Sequence, residues 1–149
     1  MRMKIVAIFG CILIVGSAFA HSGASGIVKE RMDNMKAIAG QMKVLGDMMK
    51  GEATFDDQVA KQATEALLGH ASHVAKVFEK RNLDHPTEAL PLIWEDWEGF
   101  TAIAAEMERD VARLNDVIAS QAGLAPLKPV FNKIAASCRD CHEKYRIRK

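Results

Sequence analysis

Cysteine is scarce in this chain: its 149 residues include three, at Cys11, Cys138 and Cys141. So few cannot staple a small exported domain, and a disulfide scaffold is excluded. Charge of one sign is equally lacking, with 20 basic against 19 acidic residues. That balance removes the electrostatic footprint expected of a nucleic-acid binder or of a protein held on an anionic membrane. The four prolines fall in two places, Pro86 with Pro91 and Pro126 with Pro129, and leave long unpunctuated stretches between them. Strand-like alternation, internal repeats, a phosphate-binding glycine loop and a nucleophile-base pair are all missing, so the chain does not read as an enzyme.

One long uncharged run is present, from Ile5 to Phe19, preceded by Arg2 and Lys4 and closing in Ala18-Phe19-Ala20, with small residues one apart as at a signal-peptidase site. It is shorter than the ~20 residues a spanning helix needs, and polar residues follow at once. Residues 1–20 therefore read as a cleaved secretory signal, with the mature chain starting at His21, destined for the periplasm and without a membrane anchor. Lipidation at Cys11 is disfavoured because bulky Phe9 stands where a small residue is expected. Losing Arg2 and Lys4 takes 20 basic residues to 18 against 19 acidic ones, a formal mature charge of −1. Residues 21–149 suit a single domain with one core.

Within that domain the apolar residues keep helical time. Val28, Met32, Met35, Ile38, Met42, Leu45 and Met49 recur at steps of three and four, which predicts a first helix over 26–50. Gly51 ends it, and Asp56 or Asp57 caps a second helix whose stripe is Val59, Ala63, Leu67, His70, Val74 and Val77, ending near Arg81. The segment 82–91, with its two prolines, is the longest connection. A third helix follows Pro91 on the stripe Ile93, Trp97, Phe100, Ala104, Met107, Val111, Leu114 and Ile118, and Gly123 closes it. The fourth is expected from Val130 to Arg146. Four amphipathic helices and short connections predict an all-α, up-down-up-down four-helix bundle.

The chemistry lies in the last helix. Cys138, Cys141 and His142 stand at i, i+3 and i+4, so all three share one face. C-x-x-C-H attaches c-type haem: each thiol can form a thioether to a vinyl group, leaving the histidine beneath the ring to bind iron. A thioredoxin-like dithiol would sit beside a βαβ unit, and a structural zinc would want a second ligand cluster; the sequence shows neither. One covalent haem c per chain is expected, attached on the C-terminal helix.

On these residues the chain resembles the cytochrome c-prime family, the class II c-type cytochromes. The likeness runs through VKERMDNMKAIAGQMKVL, TEALPLIWEDWEGF and CRDCHEKYR, nearly the whole mature length. It implies a haem within the bundle, His142 as proximal ligand, and a tendency to form homodimers. It further implies that Arg31 lies near a haem propionate and that the position four residues later decides the distal side. That position is Met35, which resembles the low-spin members that supply a thioether, with Met32 and Met42 as competitors and plain core filling as the bland alternative. Met32 and Trp94 are expected in the haem pocket. His70 reads as a boundary histidine rather than an axial ligand.

The expected function is one-electron transfer to periplasmic redox partner proteins through a haem ligated by His142 and Met35. The alternative is a five-coordinate high-spin protein that binds nitric oxide or carbon monoxide, and Met35 divides the two.

Overall fold

A computed structural model of the chain describes residues 23–121 and 123–148. The signal-peptide reading of residues 1–20, and Cys11 with it, falls outside them. The described residues form six helical segments: α1 Gly26–Lys50, α2 Asp57–Ser72, α3 Val74–Phe78, α4 Leu92–Glu95, α5 Trp97–Ala119 and α6 Leu124–Tyr145. They make a four-helix bundle, because α2 and α3 continue one another and α4 is a single turn leading into α5. Among these residues no helix is long and apolar enough to cross a membrane.

The helix ends follow local chemistry. Gly51 takes the left-handed conformation, φ 80°, that lets its own N–H and that of Glu52 turn back to the Met48 and Asp47 carbonyls, closing α1 as glycine does best. Asp56 caps α2 by accepting from the Val59 N–H at 2.9 Å, satisfying one of the orphan donors of a first turn. Asp96 does the same for α5 through Gly99 at 3.3 Å. A Cβ at Gly99 would lie 2.6 Å from the Asp96 carboxylate, so the cap requires glycine there.

Three boundaries depart from the sequence reading. The second helix breaks at His73, the third pauses at Asp96, and the last begins at Leu124 rather than Val130. Pro126 and Pro129 fall inside α6. Pro126 occupies the first turn, where no N–H has an intrahelical partner, so it costs the helix nothing there. Two stripe residues also face outward: Met32 is 38% exposed and Val59 41%. The buried face of α1 is instead carried by Val28, Arg31, Ile38, Leu45, Met48 and Met49.

Leu45, Leu67, Val111, Leu114, Leu127 and Ile134 are almost wholly buried and form the centre of the core. Helix α5 packs along both α2 and α6, and α1 packs along α2, but α1 and α6 meet only sparsely. A closed bundle would bring these last two together along their length. Here they splay, and the space between them is the site.

Candidate functional site

A cleft of about 700 Å³ lies between α1 and α6, within the usual range for a cofactor pocket. Its α6 wall is Phe131, Ala135, Cys138, Cys141 and His142, and its α1 wall is Met35, Ile38, Met42 and Gly46, with Ile103 and Met107 of α5 behind. The lining is mostly apolar; charge is confined to the rim, where Lys43 pairs with Asp47 at 2.7 Å and Lys50 with Glu52 at 3.8 Å. A groove of about 790 Å³ between α2 and α5 is larger but more open, and no thiol or histidine lines it.

The register across the cleft follows from one contact. A Cβ on Gly46 would touch the Phe131 ring tip, Cζ, at 3.4 Å, so these two positions face each other across the cleft to within about a turn. In an up-down-up-down bundle α1 and α6 run antiparallel. From Gly46 back to Met35 is eleven positions, and from Phe131 forward to His142 is also eleven. At the α-helical rise both steps cover roughly 16 Å, which brings Met35 to within about a turn of His142. Met42, by the same count, comes to within about a turn of Ala135.

Burial sets the chemistry of the three α6 groups. It raises the Cys138 thiol pKa and, with Cys138 as an added neighbour, pushes Cys141 up to about 11, so both stay protonated at neutral pH and are not activated thiolates. Cys138 Sγ also lies 3.9 Å from Met107 Sδ. The His142 pKa is lowered, first by partial burial and then by the Arg146 charge, with Glu88 opposing; the imidazole therefore favours its neutral, metal-binding form. Two protonated thiols, a neutral imidazole and a thioether around an apolar slot match the donor set and surroundings a covalent haem needs.

The other expected pocket residues lie elsewhere. Met32 sits on the exposed side of α1 and does not line the cleft, which weighs against it as a pocket wall. Trp94 does not line the cleft and donates its indole N–H to the Phe78 carbonyl at 2.7 Å. Arg31 is only 3% exposed, so it is not a solvated helix residue. Its Nε donates to the Val77 carbonyl at 2.7 Å, Nη1 to Asn82 at 2.8 Å, and Nη2 to Lys80. His70 Nδ1 is hydrogen-bonded to Asn34 Oδ1 at 2.9 Å on the far side of α1, the satisfied boundary role expected of it.

Sequence reasoning missed the parts contributed by contact. Met107 and Phe131 carry no local mark beyond the apolar rhythm of their helices, although Phe131, Ala135, Cys138 and His142 do keep one face at steps of four and three. Asp96, which accepts from Lys144 Nζ and the Tyr145 hydroxyl, both at 2.6 Å, gave no signal, since it falls inside the expected third helix.

Paired thiols and a histidine on one wall of a splayed four-helix bundle define a c-type cytochrome, and comparison with known proteins agrees. The profile of the family described as Cytochrome C' matches residues 26–146. Cytochrome c-556 of Agrobacterium fabrum is 32% identical over 153 residues, covering 100% of this chain and 99% of the relative. Cytochrome c' of Rhodopseudomonas palustris is 27% identical over 150 residues, with the same coverage. The crystal structure of cytochrome c' from Rubrivivax gelatinosus superposes with a TM-score of 0.74 at 25% identity, covering 80% of this chain and 94% of that one. The chain belongs to the cytochrome c' family. It is thus a protein of covalently bound haem c, an electron carrier or a ligand binder.

Proposed function

We propose that this chain is a periplasmic one-electron carrier, with thioethers at Cys138 and Cys141 and with His142 and Met35 as the axial iron ligands. What supports this reading is the register across the cleft: of the two methionines on the α1 wall, a count from the Gly46–Phe131 contact puts Met35 nearer the height of His142 than Met42. When bound, the haem supplies a one-electron iron couple whose potential the axial ligands tune. The chain's part is to hold an imidazole on one helix and a thioether on another so that neither need move between oxidation states. A thioether favours the reduced iron, and the apolar wall from Ile38 to Met107 limits water around it. Arg31 is read as a fixed buried cation beside a haem propionate; it does not line the cleft, and three of its five N–H donors hold carbonyls.

Export rests on Arg2, Lys4 and the run from Ile5 to Phe19, and places the redox partner proteins in the periplasm; a homodimer is compatible with it. The test is the absorption spectrum of the purified ferric protein. A low-spin spectrum with a weak near-infrared sulfur-to-iron band, and slow carbon monoxide uptake after reduction, is expected. A high-spin spectrum with rapid uptake would replace this reading with that of a five-coordinate gas-binding protein.

A further inference from the structure

Since α1 and α6 meet only sparsely, their own packing does not set the distance between them. The connection between α3 and α4 touches both. On the α1 side, Arg31 spends three donors on the carbonyls of Val77, Lys80 and Asn82, and its guanidinium lies 4.7 Å from the Phe78 ring centroid and 5.1 Å from that of Trp94. On the α6 side, the Leu90 N–H donates to the Tyr145 carbonyl at 3.0 Å and the Ile147 N–H to the Glu88 carbonyl at 2.9 Å. The register that sets Met35 near His142 also sets Arg31 near the height of Arg146. The connection therefore bridges the two walls about one turn beyond the ligand pair.

We propose that residues 79–91 form a strap that fixes the separation of α1 and α6, making Arg31 and Tyr145 positioning residues for the two axial ligands. This rests on the reading of Met35 and His142 as those ligands. Arg31 suits the role because a buried cation is tolerated only when its donors are satisfied, and satisfying them here ties α1 to three carbonyls that α3 and its exit leave unpaired. The planar fork matters: a lysine ammonium cannot span acceptors spread over Val77, Lys80 and Asn82. On the other wall, the Tyr145 hydroxyl is held by Asp96 at 2.6 Å, so the backbone carbonyl that receives Leu90 is itself anchored.

The test uses the haem-loaded full-length protein and its Arg31→Lys and Tyr145→Phe variants. Two properties are measured, amide hydrogen exchange at Leu90 and Ile147 and carbon monoxide association after reduction. Arg31→Lys should speed exchange at both amides about tenfold, as loss of one or two hydrogen bonds implies, although it lies on the opposite wall. The amides of Leu114 and Ile134 in the core should keep their wild-type rates. Both variants should take up carbon monoxide several-fold faster and show more high-spin iron, and the double variant should fall short of the product because the two anchors share one strap. Wild-type exchange at Leu90 and Ile147 in Arg31→Lys would overturn the proposal. So would faster exchange with an unchanged spin state and carbon monoxide rate, which would leave Arg31 as an organiser of the connection alone. If Arg31→Lys fails to fold, Tyr145→Phe decides by the same two measurements. A wild-type protein that is already high-spin would remove the Met35 reading, and the exchange measurement would then decide the strap by itself.

Discussion

Met35→Ala tests the distal side of the iron, and its size can be set in advance. Met35 is partly buried on a cleft wall, packed against the rim of the core. Full burial of a methionine loses about 2–5 kcal/mol on truncation; a side chain already facing a cleft should lose about 1–2 kcal/mol, partly offset because alanine is the better helix former. The bundle should therefore stay folded. The effect on ligand binding is larger: if the thioether occupies iron about 99% of the time, only about 1% of molecules can accept a gas, and removing the thioether raises apparent affinity about 100-fold. Carbon monoxide titration of the reduced protein, alongside the ferric spectrum, reads both changes. Met42→Ala is the matched control, since it removes the same side chain from the same wall two turns away and should leave the spin state unchanged. A low-spin spectrum in Met35→Ala, or its loss in Met42→Ala, would refute the register argument.

Replacing both Cys138 and Cys141 with alanine should release haem to acidified organic solvent and leave a loosened bundle, because a cleft of about 700 Å³ is then left without its tethered contents; intact covalent haem in that variant would end the attachment reading. Arg31→Leu should lower the reduction potential, since a lost cation disfavours the reduced iron, and potentiometry of the folded variant checks it. Asp96 has its pKa lowered by hydrogen bonds from Lys144 first and then Tyr145. Its contribution is therefore whole above the ordinary carboxylate range and lost as pH falls through the lowered value. Asp96→Asn should flatten the acid limb of the stability profile in denaturant titrations, and an unchanged limb would show that this carboxylate does not govern it.

How much of this was legible in sequence depended on the range of the interaction. The rhythm from Val28 to Leu45 and from Ile93 to Ile118 reports the helical period, so four helices and their connections could be read, as could the shared face of Cys138, Cys141 and His142. Periodicity cannot report where a helix breaks under tertiary contact: the stripe continues through His73 and Asp96 while the backbone does not. Nor can it tell which of several apolar faces turns inward. Met32 belonged to a plausible stripe, yet Arg31 took the buried place because three carbonyls in a distant connection await it. Pro129 misplaced the start of α6 for a similar reason, the packing of Leu127 and Val130 outweighing one missing donor.

The ion pairs along the cleft have a kinetic consequence. Lys43, Lys50, Arg139, Lys144 and Arg146, on or beside its walls, each lie within 4 Å of an acidic partner, namely Asp47, Glu52, Asp140, Asp96 and Glu88. Charges neutralised so locally project little field beyond a Debye length of about 8 Å at physiological salt. A protein meeting this face would be guided by shape and apolar contact rather than drawn in from a distance. Its association rate should then sit near the unsteered range of about 10⁵–10⁶ M⁻¹s⁻¹ and change little with ionic strength.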